Sequence, residues 1–441
     1  MSLLMGEHAM PFSSTSTSAQ YDVIVVGASF AGLSFASVAA TLGMRVLVLE
    51  RDEQVGGVVR TTGVLFSDVL DFLDVPARFL MNSVRRVHIQ PPDAEPLEIS
   101  ARAYRFYMAD VTGMLRWMAG QAEEHGAMMR CDTLFLDAKR GEDGLMNVQV
   151  GRASEAAESE TLTTRILVGA DGTRSRVAQR LGLDQNTRFL AGAEWLLEGV
   201  ELDRETFYLI MNHELAPGYC LWLAPHGEIA ALGVAGHPHE FNPTTSLRKA
   251  QELFQNVADL SEARVVERKA GVIPTGGRLR RVYRDDKIGH ALLLGDAAGL
   301  CGAATGGGIY PALISGRLAA HAVANEVSNG TPGSIKAYLR NIAQAGRLGH
   351  YLRIEDWLRF ALDNMHSDAD VSMLYGLFAS PEGHKILQSA LLETPIIGMD
   401  SNFFGLLRNL LSKHPRIYRS AFKAVWQRVT TGNTTTNKAE L

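Results

Sequence analysis

Residues 21–50, YDVIVVGASFAGLSFASVAATLGMRVLVLE, constrain this chain more than any other stretch. The apolar run Val23 to Val26 suits a strand covered on both faces of a parallel sheet. Gly27-Ala28-Ser29-Phe30-Ala31-Gly32 follows. Gly27 permits a tight turn out of the strand, Ser29 is short enough to let a pyrophosphate approach the backbone, and Gly32 lets the next helix pack against the sheet. The helix N-terminus offers N–H groups and a positive dipole to phosphate. A second strand, Arg45 to Leu49, ends at Glu50, 18 residues past Gly32, where an acid meets a ribose hydroxyl. Ser29 replaces the second glycine of G-x-G-x-x-G, a position that chiefly needs a short side chain. The competing reading is a strand–turn–helix with no ligand; strand, turn, helix, strand and acid in register weigh against it.

The chain has 441 residues, enough for two or three domains. With 46% hydrophobic and 21% charged residues it reads as globular with a large core. A net charge of -5 gives no support to nucleic acid as a partner. Cys131, Cys220 and Cys301 lie far apart, which points to a reducing compartment and no disulfide framework. No run of 18 apolar residues is present, and PFSSTSTSAQ reads as a disordered leader rather than a secretory signal. The expected location is cytoplasmic.

Further on, Arg51 to Thr62 reads as a loop over the nucleotide, and Val64 to Leu73 as a short helix. Val84 to Ile99 reads as paired strands around Gln90-Pro91-Pro92-Asp93, and Asp110 to His125 as a helix ended by Gly126. Met129 to Phe135 and Met146 to Val150 are strand candidates. Ile166 to Val168 delivers Gly169-Ala170-Asp171-Gly172 to a turn before a basic helix, a geometry that can hold ribose or phosphate. From Trp195 to Lys269 short β-rich pieces alternate with Pro-Gly punctuation, with a helix at 244–260. His237 and His239 have loose metal spacing, but the intervening Pro238 and the lack of a third ligand favour a plain loop and no metal. Ala291 to Leu294 then presents Gly295-Asp296-Ala297-Ala298-Gly299, followed by Thr305-Gly306-Gly307-Gly308-Ile309 and a helix to about Val327. Those glycines let backbone lie against a flat ring, and the helix dipole would stabilise negative charge there.

G-A-S-F-A-G with Glu50, G-A-D-G at 169–172, and G-D-A-A-G with T-G-G-G-I at 295–309 occur in this order. Together they resemble the FAD-dependent oxidoreductases built like para-hydroxybenzoate hydroxylase, over about residues 21–330. The resemblance implies FAD as cofactor. It implies that Gly27, Ser29, Phe30, Ala31 and Gly32 hold the pyrophosphate and Glu50 and Arg51 the adenosine end. Asp171 and Gly172 would support the nucleotide, Gly295 and Asp296 would meet the ribityl chain, and Gly306, Gly307, Gly308 and Ile309 would face the isoalloxazine. Within that superfamily GGGIYPALISGRL, Gly306 to Leu318, is similar to the geranylgeranyl reductase family, whose members reduce isoprenoid double bonds. Gly218 to Gly236 resembles that family's G-Y-x-W-x-F-P segment, with Tyr219 or Cys220 at the aromatic position and Ala224 in place of Phe. Thr61 lies near where several members carry a flavin-proximal Cys, so that chemistry is not carried over.

The expected fold is therefore α/β: a discontinuous Rossmann-like FAD-binding domain (21–85, 101–185, 286–330) with an inserted antiparallel β-sheet substrate domain (86–100, 186–285). A leader (1–20) precedes them and a helical C-terminal region (331–441) follows. Residues 401–428 carry six Lys and Arg and no acid, interleaved with apolar residues. That stretch reads either as a helix pair packed on the core or as a peripheral membrane contact. The expected reaction is hydride transfer from reduced flavin to a carbon–carbon double bond of an apolar, isoprenoid-like substrate, with NAD(P)H or a protein as electron donor. The alternatives are a hydroxylase-type monooxygenase acting on an aromatic or polyketide-like substrate through a flavin hydroperoxide, a halogenase, and an electron-transfer flavoprotein. Tyr219, Cys220 and Trp222 are the candidate catalytic residues, each with a plain structural reading as core.

Overall fold

The computed structural model describes residues 19–100, 105–153, 159–344, 346–381 and 383–384. Most of the expected leader and all of the basic stretch 401–428 lie outside the described residues. The leader's last residue is tied down: Gln20 N donates to Thr163 Oγ1 (3.1 Å) and Thr163 N donates to Gln20 Oε1 (2.9 Å).

The apolar run becomes the strand Tyr21–Val26, with Val23, Ile24 and Val25 wholly buried. It pairs in parallel with Val46–Leu49 on one side and Ser159–Gly169 on the other. Met128–Arg130 and His290–Leu293 extend the parallel order outward, and Tyr283–Asp285 closes one edge antiparallel. The hairpin Thr133–Arg140 and Met146–Arg152 pairs with the first half of Ser159–Gly169, completing eight strands. The carboxyl ends of Tyr21–Val26, Ser159–Gly169 and His290–Leu293 thus lie side by side, where open α/β sheets bind ligands. The helix Phe30–Thr41 starts at the first of these ends, capped by Ser29, and packs against Ile309–Val323.

A second sheet of seven strands runs Arg264–Pro274, Phe189–Glu198, Ile229–Gly236, Leu221–His226, Thr206–Ile210, Arg86–Gln90, Leu97–Ser100. It is antiparallel except where Thr206–Ile210 runs parallel to Arg86–Gln90. Side chains alternate across a strand, so each face can carry its own core. Ile210, Leu221, Leu223, Leu232 and Val234 pack under the helix Pro243–Leu253 through Leu247 and Ala250. Val87, Ile89, Phe207, Leu209 and Trp222 face the other way. A three-stranded sheet of Val64–Phe66, Phe106–Ala109 and Leu80–Val84 and the helices Gly346–Asp363 and Asp368–Phe378 complete the surroundings.

The architecture is α/β as expected, with local differences. The short helix expected at 64–73 is a strand, Val64–Phe66, followed by one 3-10 segment, Ser67–Asp71. Pairing with Phe106–Ala109 decides this, since the apolar run Val64-Leu65-Phe66 fits a pleated partner as well as a helix face. The strand expected at 129–135 is broken at Asp132, which takes a positive φ of 48°. The helix expected at 244–260 ends at Leu253 and continues as a single 3-10 turn, Phe254–Asn256. The helix expected to reach Val327 is α-helical to Val323 and closes in a π turn, Ala324–Ser328.

Candidate active site

Three turns meet above the parallel strands. Gly27 adopts φ +103°, and a Cβ there would lie 2.5 Å from Ala170 O. A Cβ at Gly32 would lie 2.1 Å from Gly27 O, so neither position accepts a side chain. Ser29 does two jobs: its Oγ accepts from Gly32 N (3.3 Å) and donates to Ala170 O (2.9 Å). The N–H groups of Phe30 and Ala31, in the first helical turn, have no intrahelical acceptor. Asn186 ties the second and third turns together, donating to Thr173 O (3.0 Å) and Asp296 O (2.8 Å). Thr173 Oγ1 donates to Asp296 Oδ2 (3.3 Å). Burial pushes the Asp296 carboxyl up to about 6.

Ser29, Phe30, Ala31, Gly172, Asp296, Gly306, Gly307, Gly308 and Ile309 all line one cavity of about 520 Å³. A bare-backbone turn, a helix N-terminus and a flat glycine segment along one continuous wall fit a dinucleotide with a planar ring. The other residues expected around it sit further back. Glu50 accepts from Ala28 N (2.9 Å) and Asp52 N (3.0 Å), and so clips the first turn while retaining lone pairs for a hydroxyl. Arg51 is exposed beside Asp52. Asp171 accepts from Ser175 Oγ (2.6 Å) and Val177 N (3.1 Å), bracing the helix Arg176–Arg180 rather than facing the cavity. Gly295 keeps the third turn close to the first helix, since a Cβ there would lie 2.9 Å from Ala31 Cβ.

The glycine segment is held by Glu355 and Tyr351, which sequence reasoning did not single out, and by Tyr219, which it did. Glu355, buried in the helix Gly346–Asp363, accepts from Ala304 N (2.9 Å), Thr305 N (2.8 Å) and Thr305 Oγ1 (3.0 Å). Burial pushes its carboxyl up while these donors pull it back. Tyr351 donates to Gly307 O (3.2 Å), and Tyr219 donates to Thr305 O (2.5 Å). One turn further along the helix Arg359 donates to Gly218 O (2.6 Å).

The far wall is the inner face of the seven-stranded sheet. Val87, Ile89, Phe207, Leu209 and Met211 make it apolar, and Leu358, Leu362 and Met365 oppose them. Trp222 lies flat across the next strand: a Cβ at Gly233 would fall 2.0 Å from its Cε2. Its Nε1 donates to Glu194 Oε2 (3.1 Å), and Thr62 Oγ1 donates to the same oxygen (2.5 Å). Glu194 Oε1 stands 3.6 Å from Lys269 Nζ. Lys269, Glu194, Gly233 and Trp222 are successive partners across four strands. Burial pushes the Glu194 carboxyl up, against the pull of Thr62, Lys269 and Trp222.

All three candidate catalytic residues line the cavity. The Tyr219 proton is committed to Thr305 O, and burial raises its hydroxyl well above the ordinary range. Burial pushes the Cys220 thiol up to about 12. His237 and His239 form no ligand cluster among the described residues. Strand alternation in FLAGAEWLLE could have exposed Glu194, which shares a face with Leu190 and Gly192. Glu355 gives no such signal, because its partners are some 50 residues away in sequence.

Residues 20–343 match the family described as FAD binding domain. The chain is 30% identical, over 329 residues, to a digeranylgeranylglycerophospholipid reductase of Methanothrix thermoacetophila, covering 71% of this chain and 80% of that protein. It is 26% identical over 373 residues to the protein of that name from Methanocaldococcus jannaschii, covering 82% and 92%. A geranylgeranyl bacteriochlorophyll reductase-like protein from Thermoplasma acidophilum has the same fold, with a TM-score of 0.75 at 20% identity over 91% of this chain and 98% of that one. A flavin-dependent brominase shares the fold at 0.67 and 15% identity, over 90% and 99%. The open turn above the first strand, the glycine segment beside it and this kinship together place the chain in the FAD-binding-domain family, among the geranylgeranyl reductases, as an FAD-dependent oxidoreductase.

Proposed function

We propose that this oxidoreductase saturates carbon–carbon double bonds of a long apolar substrate of isoprenoid character. The observation that supports this is the apolar lining of the cavity, with Val87, Ile89, Phe207, Leu209 and Met211 on one sheet face and Leu358, Leu362 and Met365 from the helical side. Such a wall removes an alkyl chain from water at roughly 25 cal/mol per Å² buried, and it offers few partners to a polar aromatic acid. The names of the curated relatives, lipid reductases, point the same way.

FAD, once reduced, supplies the hydride equivalent. The chain's own residues would hold it and shape its surroundings. In this reading Gly27 to Gly32 receive the pyrophosphate, Glu50 a ribose hydroxyl and Asp296 the ribityl chain. Gly172 borders the nucleotide, and Gly306 to Ile309 border the ring. Tyr219, Tyr351 and Glu355 fix the height of the glycine segment. Trp222 and the sheet face orient the alkyl chain. NAD(P)H is the proposed reductant, reaching the cofactor without a second nucleotide fold. No described helix is long and apolar enough to cross a membrane. A lipid-borne substrate supports peripheral contact of a cytoplasmic protein with the membrane through residues 401–428.

The test is anaerobic: reduce the holoprotein with dithionite, add geranylgeranyl lipids, and follow flavin absorbance and substrate mass. Reoxidation with a gain of two hydrogens per double bond supports the reading. Reoxidation only on admitting oxygen, with an oxygen atom gained by an aromatic substrate, overturns it.

A further inference from the structure

A buried carboxylate and a buried ammonium in the wall of an apolar cavity demand an explanation. Removing two charges from water is costly, and a buried pair rarely repays that in stability. Glu194 and Lys269 have side chains only 6% and 9% exposed, and both line the cavity shared with Gly306 to Gly308. The arrangement around Glu194 is one-sided. Thr62 and Trp222 both donate to Oε2, while Oε1 has no hydrogen-bond partner among the described residues and stands 3.6 Å from Lys269 Nζ. One oxygen is clamped and the other is left for something that enters the cavity.

From this geometry we infer that Glu194 is the acid that protonates the substrate carbon not attacked by hydride, with Lys269 as its partner. The inference rests on the reductase reading. A hydride adds to one alkene carbon, the π bond breaks, and the electron pair at the other carbon takes the proton from Glu194 Oε1. Two C–H bonds form and one O–H bond breaks; the reduced flavin is the reductant and ends oxidised. The carboxylate left behind is held by Thr62, Trp222 and the Lys269 ammonium, then recovers a proton from solvent on the Lys269 side. Burial favours the protonated acid beforehand. Nearby charged or titratable groups include Arg60, whose Cβ lies over Gly271 on the Lys269 strand, and His226, whose protonation Lys269 opposes and Asp110 favours. Arg60 has no acceptor, and burial and Lys269 leave the His226 imidazole a weaker base than an ordinary histidine. A Glu at this place also explains why Tyr219 and Cys220 need not act as acids, since burial makes both hold their protons too tightly.

The test compares wild type, E194Q and K269M, each loaded with FAD and checked by circular dichroism. Two readouts are used. Infrared difference spectra between pH 6 and pH 9, taken without substrate, report whether a protonated carboxyl is present. Anaerobic single turnover with geranylgeraniol reports transfer. A protonated-carboxyl band in wild type that vanishes in E194Q, with turnover slowed about 100-fold while flavin reduction is unchanged, supports the assignment. K269M should keep the band, since removing the ammonium favours the protonated acid; a band lost in K269M would overturn Lys269 as its partner. An active wild type with E194Q within threefold of it, or with no E194Q-sensitive band, overturns the assignment alone. A folded, FAD-loaded wild type that saturates no double bond overturns the reductase reading and the assignment with it. An E194Q that fails to fold transfers the turnover test to T62V, which keeps the acid but removes one of the two donors that clamp its Oε2. T62V must then lower the rate and shift the band; no change in either overturns the assignment.

Discussion

Replacing Glu355 by Ala should separate FAD binding from folding. The carboxylate accepts three hydrogen bonds from Ala304 and Thr305, two of them from backbone N–H groups. Alanine leaves both N–H groups without their acceptor at a buried place, and each such orphan costs about 1–3 kcal/mol, or about 2–6 kcal/mol for the pair. The glycine segment can escape part of that by moving toward water in the apoprotein, so FAD must restore its position on binding. If about 3 kcal/mol is transferred in this way, the dissociation constant rises roughly 100-fold. E355Q retains a carbonyl for the two N–H groups and an amide that donates to Thr305 Oγ1, and should stay within about tenfold of wild type. The assay is titration of apoprotein with FAD, read by quenching of flavin fluorescence, with circular dichroism confirming that each variant is folded. A folded E355A that binds FAD within threefold of wild type would refute the claim that this helix positions the glycine segment for the cofactor.

Other consequences follow from buried titratable groups and from the cavity's shape. Asp296 has a folded pKa of about 6 against an ordinary 3.8, so stability present below pH 4 is lost as pH rises through 6, by at most about 3 kcal/mol. D296N should therefore melt higher than wild type at pH 8 without FAD, match it near pH 4, and bind FAD more weakly; equal melting at pH 8 contradicts the burial account. Burial and Lys269 push His226 down to about 4, so stability present above pH 6.5 is lost as pH falls toward 4, and H226L should flatten part of that acid limb in thermal melts. M211W should lower kcat/KM for a geranylgeranyl chain at least tenfold relative to a geranyl chain, since overpacking costs about 1–3 kcal/mol, and an unchanged ratio would place the chain elsewhere.

What the sequence disclosed depended on how local the signal was. Strand, turn and helix around Gly27 to Gly32 are set by neighbours within ten residues, and the structure keeps them in register. The apolar run at 291–294 could be placed in the first sheet because a buried parallel strand has few other homes. The stretch at 64–73 was harder: three apolar residues suit helix and strand alike, and a partner some 40 residues away decides. The site divided the same way. Glycines and Asp296 declare themselves by motif. Glu194, Lys269 and Thr62 come from three separate segments, and only the pairing of Phe189–Glu198 with Arg264–Pro274 brings the acid and the amine together. Asp171 shows the converse: its motif is plain, yet its carboxylate braces a helix while its neighbours Ala170 and Gly172 line the cavity.

The central claim is that an apolar chain lies between the glycine segment and the inner face of the seven-stranded sheet. A geranylgeranyl analogue carrying a photoactivatable diazirine, cross-linked to the FAD-loaded protein and mapped by mass spectrometry, tests it directly. Labels on Phe207, Leu209 or Met211, and on Leu358 and Leu362 of the helix Gly346–Asp363 or Met365 just beyond it, suppressed by unlabelled geranylgeraniol, are the expected result. Labels confined to the other face of that sheet, under Leu247 and Ala250, would contradict it.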